Sequence, residues 1–139
     1  MSKVNTESGL WQTLKRKLKK THPTLIATRL ESWALPGVPD LLLCDELGNF
    51  HFIELKHTNT KQVKIRPQQV AWLDRHKHAS VWILVRQDIP RIKTWNIKLF
   101  RADQAISLAL EDYASVPPVL VCEDREDWSP VIQKILAVA

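Results

Sequence analysis

Apolar positions recur at helical spacing near the start of the chain. Leu10, Trp11, Leu14 and Leu18 follow the three-and-four spacing of one helical face, and Lys15, Arg16, Lys17, Lys19 and Lys20 fill most of the remainder, which predicts a helix over residues 7–20. His22-Pro23 ends it, because a residue before proline is pushed out of the helical region. Residues 24–33 (TLIATRLESW) predict a strand, and 35–39 (LPGVP) a loop in which two prolines and a glycine defeat regular pairing. Two apolar runs, 40–44 (DLLLC) and 50–56 (FHFIELK), flank the polar, glycine-containing segment 45–49 and predict a hairpin. Pro67 suits the first turn of a helix over 67–78 with Trp72 and Leu73 on its apolar face, and the nearly continuous apolar run 80–85 (SVWILV) reads as an interior strand. A strand over 95–100 and a helix over 103–113 follow. The last segment predicts a short strand and a helix with Trp128, Val131, Ile132, Ile135 and Leu136 on one side, a face suited to core packing first and to dimerisation second. This order predicts an α/β single domain across residues 1–139, a mixed β-sheet flanked by helices.

Length and composition agree with that expectation. The 139 residues suit one domain at ~100–200 residues each. Hydrophobic residues at 45% and charged residues at 25% allow a real core and exclude a disordered tail. No run approaches the ~20 apolar residues of a bilayer span, and the N-terminus lacks a signal-peptide pattern, so a soluble, cytoplasmic protein without a membrane partner is expected. Cys44 and Cys122 lie in apolar runs with no Cys or His pattern beside them, which points to buried free thiols rather than zinc ligands or a disulfide. The net charge of +5 is unevenly spread: residues 1–78 carry 13 Lys/Arg against 7 Asp/Glu, residues 79–139 carry 7 against 8. A localised basic surface fits a polyanion, of which nucleic acid is the commonest.

The candidate chemistry lies in the hairpin. Glu54 and Lys56 are two apart on a strand and share a face, while Ile53 and Leu55 point to the other. Asp40 opens the partner strand, and the hairpin register decides whether its carboxylate meets that of Glu54. Two converging carboxylates form a hard oxygen site suited to Mg²⁺, with Lys56 beside it to steady developing charge. A solvated Glu54–Lys56 pair, worth ~0–1 kcal/mol, is the plain alternative. Two further polar groups shift the balance. Glu7 precedes Leu10 and Trp11 by three and four residues, and Gln69 stands in the same relation to Trp72 and Leu73, so each lies on the core-facing edge of its helix and needs partners there. A helix-start charge for Glu7 and a solvated amide for Gln69 are the simpler readings.

Pro39-Asp40 followed by Glu54-Leu55-Lys56 resembles the PD-(D/E)XK nuclease superfamily. The strings GVPDLLLC, FIELKH and RPQQVAWLDRH with the strand VWILV are most similar to its small stand-alone virus-type replication-repair nucleases, over about residues 7–101. The resemblance implies a restriction-endonuclease-like fold, with residues 102–139 as an additional strand and helices. It implies that Asp40, Glu54 and the Leu55 carbonyl ligate Mg²⁺ or Mn²⁺, that Lys56 is the catalytic lysine, that Gln69 organises the site and that Glu7 supports it as a further ligand, with Glu31 competing for that role. It further implies hydrolysis of DNA phosphodiesters, often in branched substrates such as Holliday junctions or flaps, by a homodimer. The rival functions are a catalytically silent nucleic-acid-binding module and a sequence-specific restriction-type nuclease.

Phosphate contacts require Lys or Arg near the site. Lys61, Lys64 and Arg66, in the loop leaving the catalytic strand, are the leading candidates; Lys15 and Lys19 on the first helix follow, equally compatible with a solvated face. His57 faces away from Lys56 and carries no assigned role. His76 and His78 point to different sides of a helix, against a zinc pair. Trp11, Trp72 and Trp82 sit at core spacing, and Trp33 and Trp95 are left open for base stacking.

Overall fold

A computed structural model describes residues 7–30, 35–89, 91, 94–111, 115–123 and 127–137. The chain forms a small α/β domain: α1 (Glu7–Thr21), β1 (Ile26–Arg29), β2 (Leu41–Cys44), β3 (Phe50–Thr58), α2 (Pro67–Arg75), β4 (Val81–Ile89), β5 (Thr94–Arg101), a 3-10 turn (Ala102–Gln104), α3 (Ala105–Leu110), β6 (Leu120–Glu123) and α4 (Ser129–Leu136). The six strands lie in one sheet in chain order. Every neighbouring pair is antiparallel except β3 and β4, which run parallel across the α2 crossover. The sheet is therefore mixed, with a βαβ unit at its centre.

Alternation along the strands builds two cores. Ile53, Leu55, Trp82, Leu84, Ile97 and Leu99 point to one face, where Leu10, Trp11, Leu14 and Leu18 of α1 and Trp128, Val131, Ile132 and Ile135 of α4 cover them. Ile83, Val85 and Phe100 point to the other, beneath Leu73 of α2 and Ala105 and Leu108 of α3. The apolar face of α4 thus completes the core, its first expected use. Trp11 and Trp82 are core residues as predicted, whereas Trp72 is half-buried and stacks on His76 with ring centroids 3.8 Å apart. Among the described residues no helix is long and apolar enough to cross a membrane.

Element boundaries depart from the sequence expectation where contacts override local pattern. β1 covers only part of 24–33, and Glu31 and Trp33 lie outside the described residues. α2 stops at Arg75 rather than 78, where the His76 ring nitrogen engages the Trp72 carbonyl at 2.6 Å. β4 runs on to Ile89, past the apolar run, paired with β3 as far as Gln87 and with β5 to its end. The helix expected over 103–113 is a 3-10 turn followed by α3, after which Glu111 is extended. Cys122 is buried as expected, but Cys44 is only half-buried. It stands in a cross-strand row with Ile26 and Phe50 on the α2 side of the sheet, and both of those side chains are exposed.

The β2–β3 turn is fixed by a network the sequence did not reveal. Asp45 Oδ1 accepts the Leu47 and Asn49 amides, each at 2.9 Å, and Gly48 adopts φ +82°. Fully buried His51 bonds Asp45 Oδ2 at 2.9 Å and Ser80 Oγ at 2.6 Å, joining the turn to the start of β4. Gly37, with φ +96°, presses against the first turn of α2, where an added Cβ would stand 2.3 Å from the Gln68 carbonyl oxygen. We expect Gly37→Ala to cost about 2 kcal/mol or more in urea unfolding, whereas Gly48→Ala, whose Cβ meets open space, costs only the ~1 kcal/mol of its backbone conformation. Equal losses at the two positions would contradict the close approach.

Candidate active site

The register of the hairpin brings the predicted residues together. Leu41 pairs with Ile53, so Asp40, one residue earlier, falls opposite Glu54. Asp40 Oδ2 accepts the Leu55 amide at 2.9 Å and prolongs the ladder by one bond. Because both backbone groups of a strand residue address the same neighbour, the Leu55 carbonyl faces the Asp40 side as well. Glu54 and Lys56 leave β3 on the α2 face, as alternation predicts, and both are buried. Their charged atoms are 3.5 Å apart. A solvated surface pair is excluded by that burial.

Gln69 connects these groups. Its Nε2 donates to Glu54 Oε2 at 2.8 Å, and its Oε1 accepts from Lys56 Nζ at 2.9 Å and from the Arg66 backbone amide at 2.9 Å. The last bond satisfies an amide that the helix start would otherwise leave unpaired. Gln69 is therefore buried rather than solvated, and Pro67 with Arg66 sets the helix entry that aims it. The loop before α2 is held by Val63, which is buried, and by Thr58 Oγ1 donating to the Gln62 carbonyl at 2.7 Å.

Glu7 approaches from the start of α1, on the other side of the sheet, and is half-buried. Glu7 stands near enough to Asp40 and Glu54 for the carboxylates to disfavour one another's charge, and among the described residues no group of three or more His, Cys, Asp or Glu side chains is placed to hold a metal ion. α1 packs on the Leu55 face, while Glu54 projects from the opposite one. Mg²⁺ suits such an open site, since it is held by one or two carboxylates and keeps several waters.

The electrostatics of the group are unfavourable without a cation. Burial, reinforced by Asp40, pushes the Glu54 carboxyl up to about 8, against the pull of Lys56. Asp40 is raised by burial despite the Leu55 amide and the nearby Arg29, Lys56 and Arg66. Glu7 is raised by burial too, with Lys56 opposing. Asp40, Glu54 and the Leu55 carbonyl are the groups here that could hold a hard divalent ion, which would relieve the repulsion.

The expected DNA-contacting residues are distributed in two places. Lys61, Lys64 and Arg66 are exposed in the segment between β3 and α2, and Arg66 is near enough to favour the charged form of Asp40. Lys15 and Lys19 are exposed on α1, about 12 and 18 Å along the helix from Glu7 at 1.5 Å per residue. The Lys15 ammonium lies 5.8 Å from the Trp11 ring. His57 faces away from Lys56, as expected, and bonds Asp88 at 2.6 Å; Asp88 also receives Arg86 Nε at 2.9 Å, and the Arg86 guanidinium lies over Trp95, half-buried, at 4.3 Å. Trp95 is therefore engaged with protein groups. Two cations near the carboxylates, Arg29 and Arg66, gain weight from the structure; Arg29 was not singled out, and its only sequence signal is a charge on an alternating strand.

No protein-family model matches the chain, and no curated protein is significantly similar to it in sequence.

The folded-state pKa values of Glu54, Asp40 and Glu7 all exceed their ordinary ones, so the native state holds more protons here than the unfolded chain. The contribution of Glu54 to stability is complete below about pH 4.5 and is lost as pH rises through about 8. In EDTA, Glu54→Gln is expected to melt several degrees above the native protein at pH 8 and near it at pH 4.5, by calorimetry. Mg²⁺ should raise the melting temperature of the native protein at pH 8 and leave the variant unmoved. A variant that melts lower at pH 8 would refute the burial of an unfavourable charge.

Proposed function

We propose that the chain is a divalent-cation-dependent DNA endonuclease with the restriction-endonuclease-like form of the α/β fold, of the PD-(D/E)XK type. The observation that carries this reading is the joining of Glu54 and Lys56 through the single amide of Gln69, with Asp40 held opposite by the Leu55 backbone. The four residues come from β3, α2 and the residue before β2, and a buried acidic pair aligned with a lysine has little value as a structural device.

In this reading Asp40, Glu54 and the Leu55 carbonyl would hold Mg²⁺ or Mn²⁺. Such an ion, when bound, makes water acidic enough to serve as a nucleophile and offsets charge on the phosphate. The protein's own groups do the rest. Gln69 takes one of the three Lys56 donors and Glu54 stands against another, which leaves the remaining N–H for the attacking water or a phosphate oxygen. The fixed amide keeps Lys56 in place without a further side-chain charge. Burial of Glu54 excludes competing solvent from that side. The exposed cations Lys61, Lys64 and Arg66, in the segment that leaves β3, would supply affinity for the strand backbone without reading sequence. Branched DNA as substrate and a homodimer with paired sites follow from the resemblance of the motifs and complete the proposal.

Incubation with labelled four-way junction, flap, linear duplex and single strand, in Mg²⁺, Mn²⁺ or EDTA, tests this reading. Cleavage that requires the cation is expected, with Asp40→Asn, Glu54→Gln and Lys56→Ala each at least ~100-fold slower. Gln69→Ala is expected to be ~10–100-fold slower, as for a group that orients others. No cleavage of any substrate, with retained binding, would identify the silent module instead; equal cutting of all shapes would remove the preference for branches. Light scattering after size separation checks the dimer.

A further inference from the structure

Arg29 is the last residue of β1 and pairs with Leu41, directly beside Asp40. Residues opposed across a strand pair project to the same face. Leu41 is fully buried beneath α1, so Arg29 leaves the sheet on that side as well, where α1 begins at Glu7. The backbone continues this alignment: the Leu30 amide donates to the Asp40 carbonyl at 2.7 Å. The Arg29 guanidinium is near enough to both Asp40 and Glu7 to favour their charged forms.

Its Nη1 is nonetheless buried and has no hydrogen-bond partner among the described residues. A buried donor on a charged group left unsatisfied is costly, and proteins seldom keep one without a use. Two other buried side-chain atoms, Asn96 Oδ1 and Trp128 Nε1, share that condition, but neither is cationic. The guanidinium is planar, permanently charged and shaped to meet two oxygens of a phosphate. A phosphodiester approaching Asp40 and Glu54 also meets repulsion from both, which a cation on the β1 side offsets together with Lys56 on the α2 side.

We propose that Arg29 is a substrate-binding residue whose Nη1 donates to a nonbridging oxygen of a phosphate in the bound DNA strand. The assignment rests on the nuclease reading above. It gives β1 a role in the site: the strand carries the cation, the residue before β2 one acid, and β3 the other acid and the lysine.

The test uses the full chain, the substrate cleaved best and saturating Mg²⁺, with one phosphate at a time replaced by a neutral methylphosphonate. Arg29→Met is expected to slow cleavage about 10- to 100-fold, the worth of one hydrogen bond to a charged group, with Arg29→Lys recovering part of it. At one position the methylphosphonate should slow the native protein and slow Arg29→Met no further. That loss of sensitivity reports a contact, and a purely structural arginine would not produce it. Arg29→Met within about twofold of the native rate, or a methylphosphonate penalty undiminished at every position, overturns the proposal while leaving the nuclease reading intact. If Arg29→Met does not fold, the Arg29→Lys scan decides by the same criterion, a reduced penalty at one phosphate against an unchanged one. If the native protein cleaves nothing, both readings fall together.

Discussion

The antiparallel register of β2 on β3 governs the chemistry at this end of the molecule. Side chains along a strand alternate, so a slip of one residue would carry Glu54 and Lys56 to the α1 face and leave Asp40 opposite an apolar neighbour. The groups that prevent the slip are mostly not Asp40, Glu54 and Lys56 themselves. Leu41, Leu43, Ile53 and Leu55 are buried together on the α1 side, and His51 ties the turn through Asp45 to Ser80. Gly48 supplies the positive φ that the turn requires. The meeting of two acids is thus a by-product of burying four aliphatic side chains.

What that register imposes is costly. Glu54 is buried beside another carboxylate with a third nearby, and burial is the dominant effect on its ionisation. A sequence chosen for stability alone would replace it by an amide or an apolar residue. The rest of the domain tolerates the conflict because two apolar cores, one on each sheet face, are already complete without these residues. Local frustration of this kind, confined to one end of a well-packed sheet, is the usual mark of a working site.

The architecture was legible where burial is periodic. The face of α1, the hairpin, the central strand β4 and the apolar side of α4 all follow from spacing, because each buries one side against the sheet. The strand alternation likewise separated Glu54 and Lys56 from Ile53 and Leu55. Features that depend on contacts between distant segments were not legible. The approach of Gly37 to Gln68, the partnership of His51 with Ser80 and the position of Arg29 beside Asp40 join residues far apart in the chain or set by strand pairing. Cys44 lies in a run that reads as buried, yet its cross-strand neighbours Ile26 and Phe50 are exposed and leave it half-covered. The side on which Glu7 enters was likewise invisible, since helical spacing states which face is buried and not which face of the sheet receives it.

Gln69 has one property with a wider effect. Its carbonyl oxygen receives both the lysine and the first amide of its own helix, while its nitrogen serves the acid, so the amide has a fixed polarity and cannot turn over without breaking three bonds. The helix start and the lysine therefore share a single acceptor. Fraying of that first turn, the least protected part of any helix, would release the ammonium in the same motion. The breathing of α2 at Arg66 thus sets an upper bound on the fraction of time the lysine is aligned, and Pro67, by stiffening that turn, raises it.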